Sequence, residues 1–141
     1  MNTYAKGRRV ELKAKRELES VGYIVAQARI NRFGGNDFFG IIDLIAVLPE
    51  KHVKWIQVKS NRVSRKTKVE MVKFGFMLPH EAPTTNLPEI WVWKDRKGFE
   101  IFSFLNEGCR CLECGKIMVS QKEGEKHPCH VKWLKGMNHG V

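Results

Sequence analysis

The stretch IIDLIAVLPEKHVKWIQVKS, residues 41–60, consists of two apolar runs separated by a short polar turn. This pattern predicts two neighbouring strands joined by a hairpin loop. Asp43 lies in the first run, and Gln57 and Lys59 lie in the second. Burial of a carboxylate, an amide or an ammonium without a partner is unfavourable by several kcal/mol. These three side chains therefore either hold the strands together or form a functional site.

The register of this hairpin determines whether the three polar side chains meet. Gln57 and Lys59 share one face of their strand because side chains alternate along it. A loop at 48–52 places Asp43 opposite Gln57, whereas a loop one residue shorter turns Asp43 to the other face. We predict the loop at 48–52, because this register collects the apolar side chains on the second face. These apolar residues are Ile42, Leu44, Ile56 and Val58.

The residues around the hairpin predict an α/β sandwich with a central sheet. Val10, Ala14 and Leu18 recur at helical spacing, and Gly22 is placed to end that helix. The predicted elements are a helix near 5–21, strands near 23–30, 41–48 and 53–60, a helix near 65–78, and strands near 89–93 and 99–104, with a loop at 31–40. We divide the chain into a core at 1–106 and a small C-terminal module at 107–141.

The chain is strongly basic, with 25 Lys and Arg against 15 Asp and Glu and a formal net charge of +10. Two basic blocks, residues 1–16 and 59–73, flank the hairpin in sequence. A surplus of this size favours a polyanionic partner, and the blocks would attract a phosphate backbone. No apolar run approaches the roughly 18 residues of a spanning helix, and the charged start lacks the apolar core of a signal peptide. We therefore expect a cytoplasmic protein with a nucleic-acid partner and no membrane association.

The convergence of Asp43, Gln57 and Lys59 suits a hard divalent cation beside a polarised water. Mg²⁺ prefers oxygen ligands and keeps several waters, so one or two carboxylates and a phosphate complete its coordination. Such an ion would lower the pKa of the attacking water, and Lys59 would orient that water or stabilise the transition state. The alternative is an ion pair between Asp43 and Lys59 that joins the two strands.

The spacing D-x13-Q-x-K in the hairpin, preceded by a helix that contains a Glu, resembles the PD-(D/E)XK nuclease superfamily. Within it, the region from about Lys6 to Arg62 is most similar to the archaeal Holliday junction resolvases. Their Lys-Gly pair, the Glu that follows it and their Gly-aromatic helix end are matched by KGRRVE and VGY. The resemblance places the metal-site Glu on Glu11, with Glu17 as the alternative on the same helix.

The resemblance implies a restriction-endonuclease-like αβββαβ core with a central mixed sheet. It also implies a homodimeric, Mg²⁺- or Mn²⁺-dependent DNA endonuclease that acts on Holliday junctions in recombination and repair. The metal ligands would be Glu11, Asp43 and Gln57, with Lys59 assisting the water. The basic residues expected to contact DNA are Lys6, Arg8, Arg9, Arg32, Arg62, Arg65 and Lys66.

Gln57 departs from the family pattern, which usually has a Glu at this position, and Ile42 stands where the motif has a Pro. An amide is a neutral and weaker ligand than a carboxylate, so Glu11 and Asp43 become the main anionic ligands. The alternative function is therefore a non-catalytic DNA-binding protein with a decayed nuclease core and a structural zinc finger.

All four cysteines lie in the C-terminal module. Cys111 and Cys114, followed by a glycine, have the spacing of a zinc knuckle. Clustered cysteines in an intracellular protein favour a metal site over disulfides. We predict a structural Zn²⁺ with four protein ligands and no open position for a water. The predicted ligands are Cys111, Cys114, His127 and Cys129, with His130 or Cys109 as alternatives for the last two.

Overall fold

Helices and strands follow the predicted order in the computed structural model, which describes residues 3–28, 39–79 and 85–134. The core elements are α1 (Thr3–Ser20), β1 (Ile24–Gln27), β2 (Leu44–Leu48), β3 (His52–Ser60), α2 (Arg65–Met77), β4 (Thr85–Lys94) and β5 (Gly98–Ser103). The C-terminal elements are β6 (Cys109–Cys111), β7 (Ile117–Met118), α3 (Gln121–Lys126) and β8 (Val131–Trp133). The predicted loop at 31–40 lies outside the described residues except for its last two positions.

The five core strands form one sheet in the order β1-β2-β3-β4-β5. Strands β3 and β4 are parallel, and the other neighbouring pairs are antiparallel. Parallel neighbours need a crossover connection, and α2 lies in the segment that makes it. The prediction of an α/β fold with a central mixed sheet is confirmed.

The two faces of this sheet are covered by α1 and α2. On the first face, Ala14 and Leu18 of α1 pack against Leu44, Ile56 and Trp91. The second face carries a larger apolar cluster centred on α2. Its buried members from residues 1–106 are Ile42, Met71, Val72, Phe74, Ile90, Val92 and Phe104.

Two details of the hairpin differ from the prediction. The predicted loop at 48–52 is too long, because Leu48 pairs with His52 and the turn comprises 49–51 alone. Ile42 packs with α2 and not with the predicted apolar set on the α1 face. The reason is that the chain bends at Asp43 before β2 begins, so the alternation of strand side chains does not extend back to Ile42.

Helix α1 ends where predicted, at Gly22, which adopts a φ of 101°. Gly22 N donates to Glu19 O (3.1 Å), and Tyr23 N donates to Leu18 O (3.1 Å). This Schellman motif satisfies the last carbonyls of the helix and reverses the chain. Strand β1 then runs back along α1, so its end lies beside the first half of the helix.

The C-terminal module forms its own sheet, in the order β7-β6-β8, but shares a core with the main sheet. Ile117 and Leu134 belong to the apolar cluster around α2. Leu134 fills the space over Gly75, where a Cβ would lie 2.8 Å from Leu134 Cδ2. In the opposite direction, Val72 fills the space over Gly108, where a Cβ would lie 2.8 Å from Val72 Cγ1. The module has a separate sheet without having a wholly separate core.

Candidate functional site

One end of the main sheet collects the polar residues that the sequence pattern singled out. The register of β2 with β3 is the predicted one, since Leu44 pairs with Ile56, and Asp43 directly precedes β2. Lys59 lies two residues beyond Gln57 on β3. The first half of α1, which carries Glu11, lies beside the same end because the last residue of β1 contacts it. Three chain segments that are distant in sequence therefore meet at this end of the sheet.

Glu11 is a buried carboxylate, with 7% of its surface exposed. Its Oε2 accepts a hydrogen bond from Gln27 Nε2 (3.2 Å) and lies 3.6 Å from Arg8 Nη1. Gln27 is the strand neighbour of the residue that follows Asp43, so it directs Glu11 towards the strand pair. Glu17, the alternative on this helix, is exposed. Of the two carboxylates, Glu11 is the one that is buried and directed towards the strand pair.

Asp43 is fixed by both its backbone and its side chain. Its N–H donates to Ile56 O (2.9 Å), and its carbonyl oxygen accepts from Ala28 N (3.0 Å). The carboxylate Oδ2 accepts from Val58 N (2.8 Å). The ion pairs found among the described residues do not include one between Asp43 and Lys59. The carboxylate is held at a defined point between two strands.

Gln57 carries a buried amide oxygen that accepts no hydrogen bond from any described residue. Leaving a buried acceptor unpaired costs about 1–3 kcal/mol, and native proteins rarely keep one without a reason. Asp43 is hydrogen-bonded to both neighbours of Gln57, because its N–H donates to Ile56 O and its carboxylate accepts from Val58 N. The Asp43 carboxylate and Gln57 therefore lie in the same part of the site. A cation bound between these oxygens would satisfy the unpaired acceptor.

The basic residues predicted to contact DNA have different surroundings. Lys6 and Arg9 line a cavity of about 190 Å³ beside α1. Lys59 and Arg62 line a cavity of about 550 Å³ at the start of α2. Of the remaining predicted contacts, Arg8 lies beside Glu11, Lys66 is exposed, Arg65 is held in an ion pair, and Arg32 lies outside the described residues.

Arg65 connects α2 to the C-terminal module. Its Nη1 and Nη2 donate to Glu123 Oε1 (2.6 Å) and Oε2 (3.1 Å). The hydrogen bonds from Arg65 hold the pKa of Glu123 below its ordinary value. With its guanidinium engaged by a carboxylate, Arg65 has a structural contact where the sequence pattern predicted a phosphate contact.

Glu123→Gln should lower the free energy of unfolding by less than about 1 kcal/mol, because both partners of the ion pair are partly exposed. The pKa of Glu123 is depressed in the folded chain, so the ion pair stabilises the fold above the ordinary value of 4.5 and this contribution is lost as the pH falls through the folded-state pKa. Urea unfolding of the wild type and the variant, at neutral pH and at roughly pH 3, measures the change in the free energy of unfolding and its dependence on pH. Glu100→Gln, an exposed change on β5, is the matched control. A difference from wild type that persists undiminished at low pH would contradict the ion-pair explanation.

Cys111, Cys114 and His127 come together in the C-terminal module, as predicted. Their ligand atoms all lie within 4.8 Å of one another, and Cys114 Sγ is 3.6 Å from His127 Nε2. Cys111 Sγ accepts hydrogen bonds from the backbone N–H groups of Glu113 (3.4 Å) and Cys114 (3.2 Å). The N–H of Cys114 is the main cause that lowers the pKa of Cys111 to about 6. Because thiolates are the metal-binding form of cysteine, this group is suited to hold a metal ion such as structural Zn²⁺.

The other predicted ligands differ in how close they lie to this group. A hydrogen bond to the Glu113 carboxylate and the contact with Cys111 raise the pKa of the neighbouring Cys129 to about 12. Cys129 is not among the ligand atoms that lie mutually within 4.8 Å. Cys109 is fully buried, and burial raises its pKa to about 11, as expected for a core thiol. His130 is exposed. Cys129, which contacts Cys111, therefore remains a candidate for the fourth ligand.

Comparisons with known proteins gave no match: no protein-family model matches this chain, and no curated protein has a significant sequence match to it. In the parts of the chain that the structure describes, no helix is long and apolar enough to cross a membrane. The functional interpretation therefore depends on the residues of the site and their geometry.

Proposed function

We propose that this chain is a Mg²⁺- or Mn²⁺-dependent DNA endonuclease with a restriction-endonuclease-like core. The observation that carries the proposal is the unpaired buried oxygen of Gln57, next to Val58, whose N–H donates to the Asp43 carboxylate. Glu11 supplies a second carboxylate, which is buried, at the same end of the sheet. This set of oxygen donors matches the chemistry that a hard divalent cation prefers.

Each residue of the proposed site has a distinct role. Glu11 and Asp43 provide the anionic ligands, and Gln57 provides a neutral one. When bound, the metal ion would neutralise charge on the scissile phosphate and lower the pKa of the attacking water. The ammonium group of Lys59 donates hydrogen bonds to that water or to a non-bridging phosphate oxygen, which holds the reacting groups in line.

The charge of the surface supports a nucleic-acid substrate. The net charge is +10, and Lys6, Arg9, Lys59 and Arg62 line two cavities beside the proposed site. Cations placed in this way neutralise backbone phosphates, so binding should weaken as salt is raised. The resemblance of Lys6–Arg62 to the junction resolvases implies that four-way DNA is the substrate. It also implies that the active form is a homodimer.

Gel assays with duplex, nicked, flapped and four-way DNA, each in Mg²⁺ or in EDTA, test the function directly. We expect cleavage in Mg²⁺ or Mn²⁺ and none in EDTA, with four-way DNA cut most efficiently. Cleavage that proceeds unchanged in EDTA would contradict the proposed metal chemistry.

The second candidate function is a DNA-binding protein without nuclease activity. The specific observation in its favour is Gln57 itself, because an amide binds a divalent cation less strongly than the carboxylate usual at this position. This function is established if the wild-type protein binds DNA in the gel assays but cuts no substrate with either metal ion.

Gln57→Glu should preserve cleavage and lower the Mg²⁺ concentration needed for half-maximal activity by about tenfold, since an added carboxylate strengthens a cation site. Gln57→Met is the matched control, because it removes the oxygen while keeping a similar volume. It should reduce cleavage and leave the metal-free fold as stable as wild type or slightly more so, since an unpaired buried acceptor is lost. Metal titrations of cleavage and urea unfolding measure these effects. A Gln57→Glu protein that unfolds and is not rescued by Mg²⁺ would count against a cation at this position.

A further inference from the structure

A small basic groove lies between α1 and the end of β4. It encloses about 190 Å³ and is lined by Lys6, Arg9, Val10, Lys13, Trp93 and Asp95. The three cations recur at positions i, i+3 and i+7, so they lie along one side of the helix. Trp93 reaches the groove from the end of β4, where it pairs with the last residue of β3.

The groove has an excess of positive charge. Among the described residues, none of Lys6, Arg9 and Lys13 forms an ion pair. The one acid, Asp95, accepts a hydrogen bond from Trp93 Nε1 (3.0 Å), which fixes the indole ring against the groove. Three cations beside one engaged carboxylate favour a ligand that carries more than one negative charge.

Trp93 adds an aromatic surface to this groove. The edge-on Phe99 ring packs against it, with a centroid separation of 5.1 Å and an interplanar angle of 67°. Lys13 Nζ lies 4.1 Å from the centroid of the indole ring. Lys13 is exposed and has a flexible stem, so it can leave the ring when another planar group arrives.

We propose that this groove binds an unpaired DNA strand, with one base stacked on Trp93 and the adjacent phosphates on Lys6, Arg9 and Lys13. The combination of a cationic groove with an aromatic platform is the arrangement by which proteins hold single strands. On binding, Lys13 exchanges its contact with the ring for a contact with phosphate, and the base takes its place. A base inside a duplex is already stacked on its neighbours, so duplex DNA offers the groove phosphates alone.

This inference rests on the proposed function and refines its substrate. A site for an unpaired strand next to a metal-dependent nuclease site selects DNA with single-stranded or displaced segments, such as branch points and flaps. The groove then positions one strand so that a nearby phosphate reaches the proposed metal site at Asp43.

Binding in EDTA tests the inference without any cleavage. The probes are fluorescein-labelled poly(dT) of roughly 20 nucleotides, an abasic strand of equal length, and a duplex of equal length. Trp93→Leu keeps an apolar side chain against Phe99 and removes the aromatic platform, whereas Trp93→Phe retains an aromatic ring. Trp93→Leu should weaken binding to poly(dT) by about tenfold and change binding to the abasic strand and to the duplex less than about twofold. Trp93→Phe should recover most of the loss.

Lys13→Gln should weaken binding to all three probes and flatten the salt dependence, because a phosphate contact is lost. Lys122→Gln, an exposed change on α3, is the matched control and should leave binding unchanged. The stacking role is overturned if Trp93→Leu loses the same affinity for poly(dT) and for the abasic strand, or loses affinity for neither. This holds even if the protein cuts DNA. Conversely, the stacking result can be obtained with a protein that cuts nothing, so the two proposals fail separately. Thermal melting of each variant ensures that folded proteins are compared.

Discussion

Replacing Asp43 by asparagine should reduce metal-dependent cleavage by about a thousandfold or more, the largest functional effect that we expect of any single change. Loss of one well-placed stabilising group in an active site costs on the order of 10²–10³ in rate, and removal of a charged ligand also weakens metal binding. DNA binding in EDTA should stay within about twofold of wild type, because Asp43 contributes no positive charge. Single-turnover cleavage at saturating Mg²⁺ and a binding titration measure the two effects.

Asparagine is the informative replacement at this position because its amide oxygen can still accept the hydrogen bond from Val58 N. The fold should therefore survive, and lost activity can be assigned to lost charge. Glu17→Gln, an exposed change on the same helix as Glu11, is the matched control and should cut at the wild-type rate. If Asp43→Asn retains full cleavage, the nuclease site is not at this end of the sheet.

Replacing Cys114 by serine should remove the zinc of the C-terminal module and lower the stability of the whole chain by several kcal/mol. Structural zinc in small modules contributes apparent free energies of about 10–16 kcal/mol, and the module shares its apolar cluster with α2. Wild-type protein should retain about one zinc per chain after dialysis, as expected for a closed four-ligand site. Elemental analysis and urea unfolding, each with and without chelator, measure the metal content and the stability.

Cys109→Ala is the matched control, since Cys109 is a buried core residue outside the group of mutually close ligands. It should keep its zinc. The folded fraction of Cys114→Ser should still cut DNA in a Mg²⁺-dependent manner, because the proposed chemistry uses the oxygen ligands at the other site. Purified protein without zinc, or cleavage that follows zinc occupancy and ignores Mg²⁺, would reverse this assignment of the two metals.

The sequence predicts the hairpin register correctly because apolar parity is a strong local constraint. Leu44 and Ile56 must both face α1, and this condition alone sets Leu44 opposite Ile56. The loop length is not determined in the same way, since pairing of its first and last residues leaves the parity unchanged. The pattern also could not predict the face on which Ile42 packs, because a bend interrupts the strand.

Contacts between distant segments account for what the sequence did not reveal at the site. Gln27 is a single amide in an otherwise apolar strand, and its partnership with Glu11 depends on how α1 and β1 fold back on each other. The ion pair of Arg65 with Glu123 joins residues 58 positions apart. Arg65 therefore resembled its basic neighbours in sequence while having a different partner in the fold. By contrast, Cys111 and Cys114 were predictable because the spacing of the two thiolates in a knuckle is itself local.

The two glycines at the junction of the C-terminal module with α2 each leave a recess that a side chain of the other partner fills. Gly75 of the helix receives Leu134 of the module, and Gly108 of the module receives Val72 of the helix. Each partner thus contributes one projecting side chain and one recess, with the helix contacts three residues apart. Sliding the module along α2 by one turn would set side chain against side chain at both points, and close-packed interiors do not tolerate such overlap. These two contacts therefore fix the module in a single position along α2.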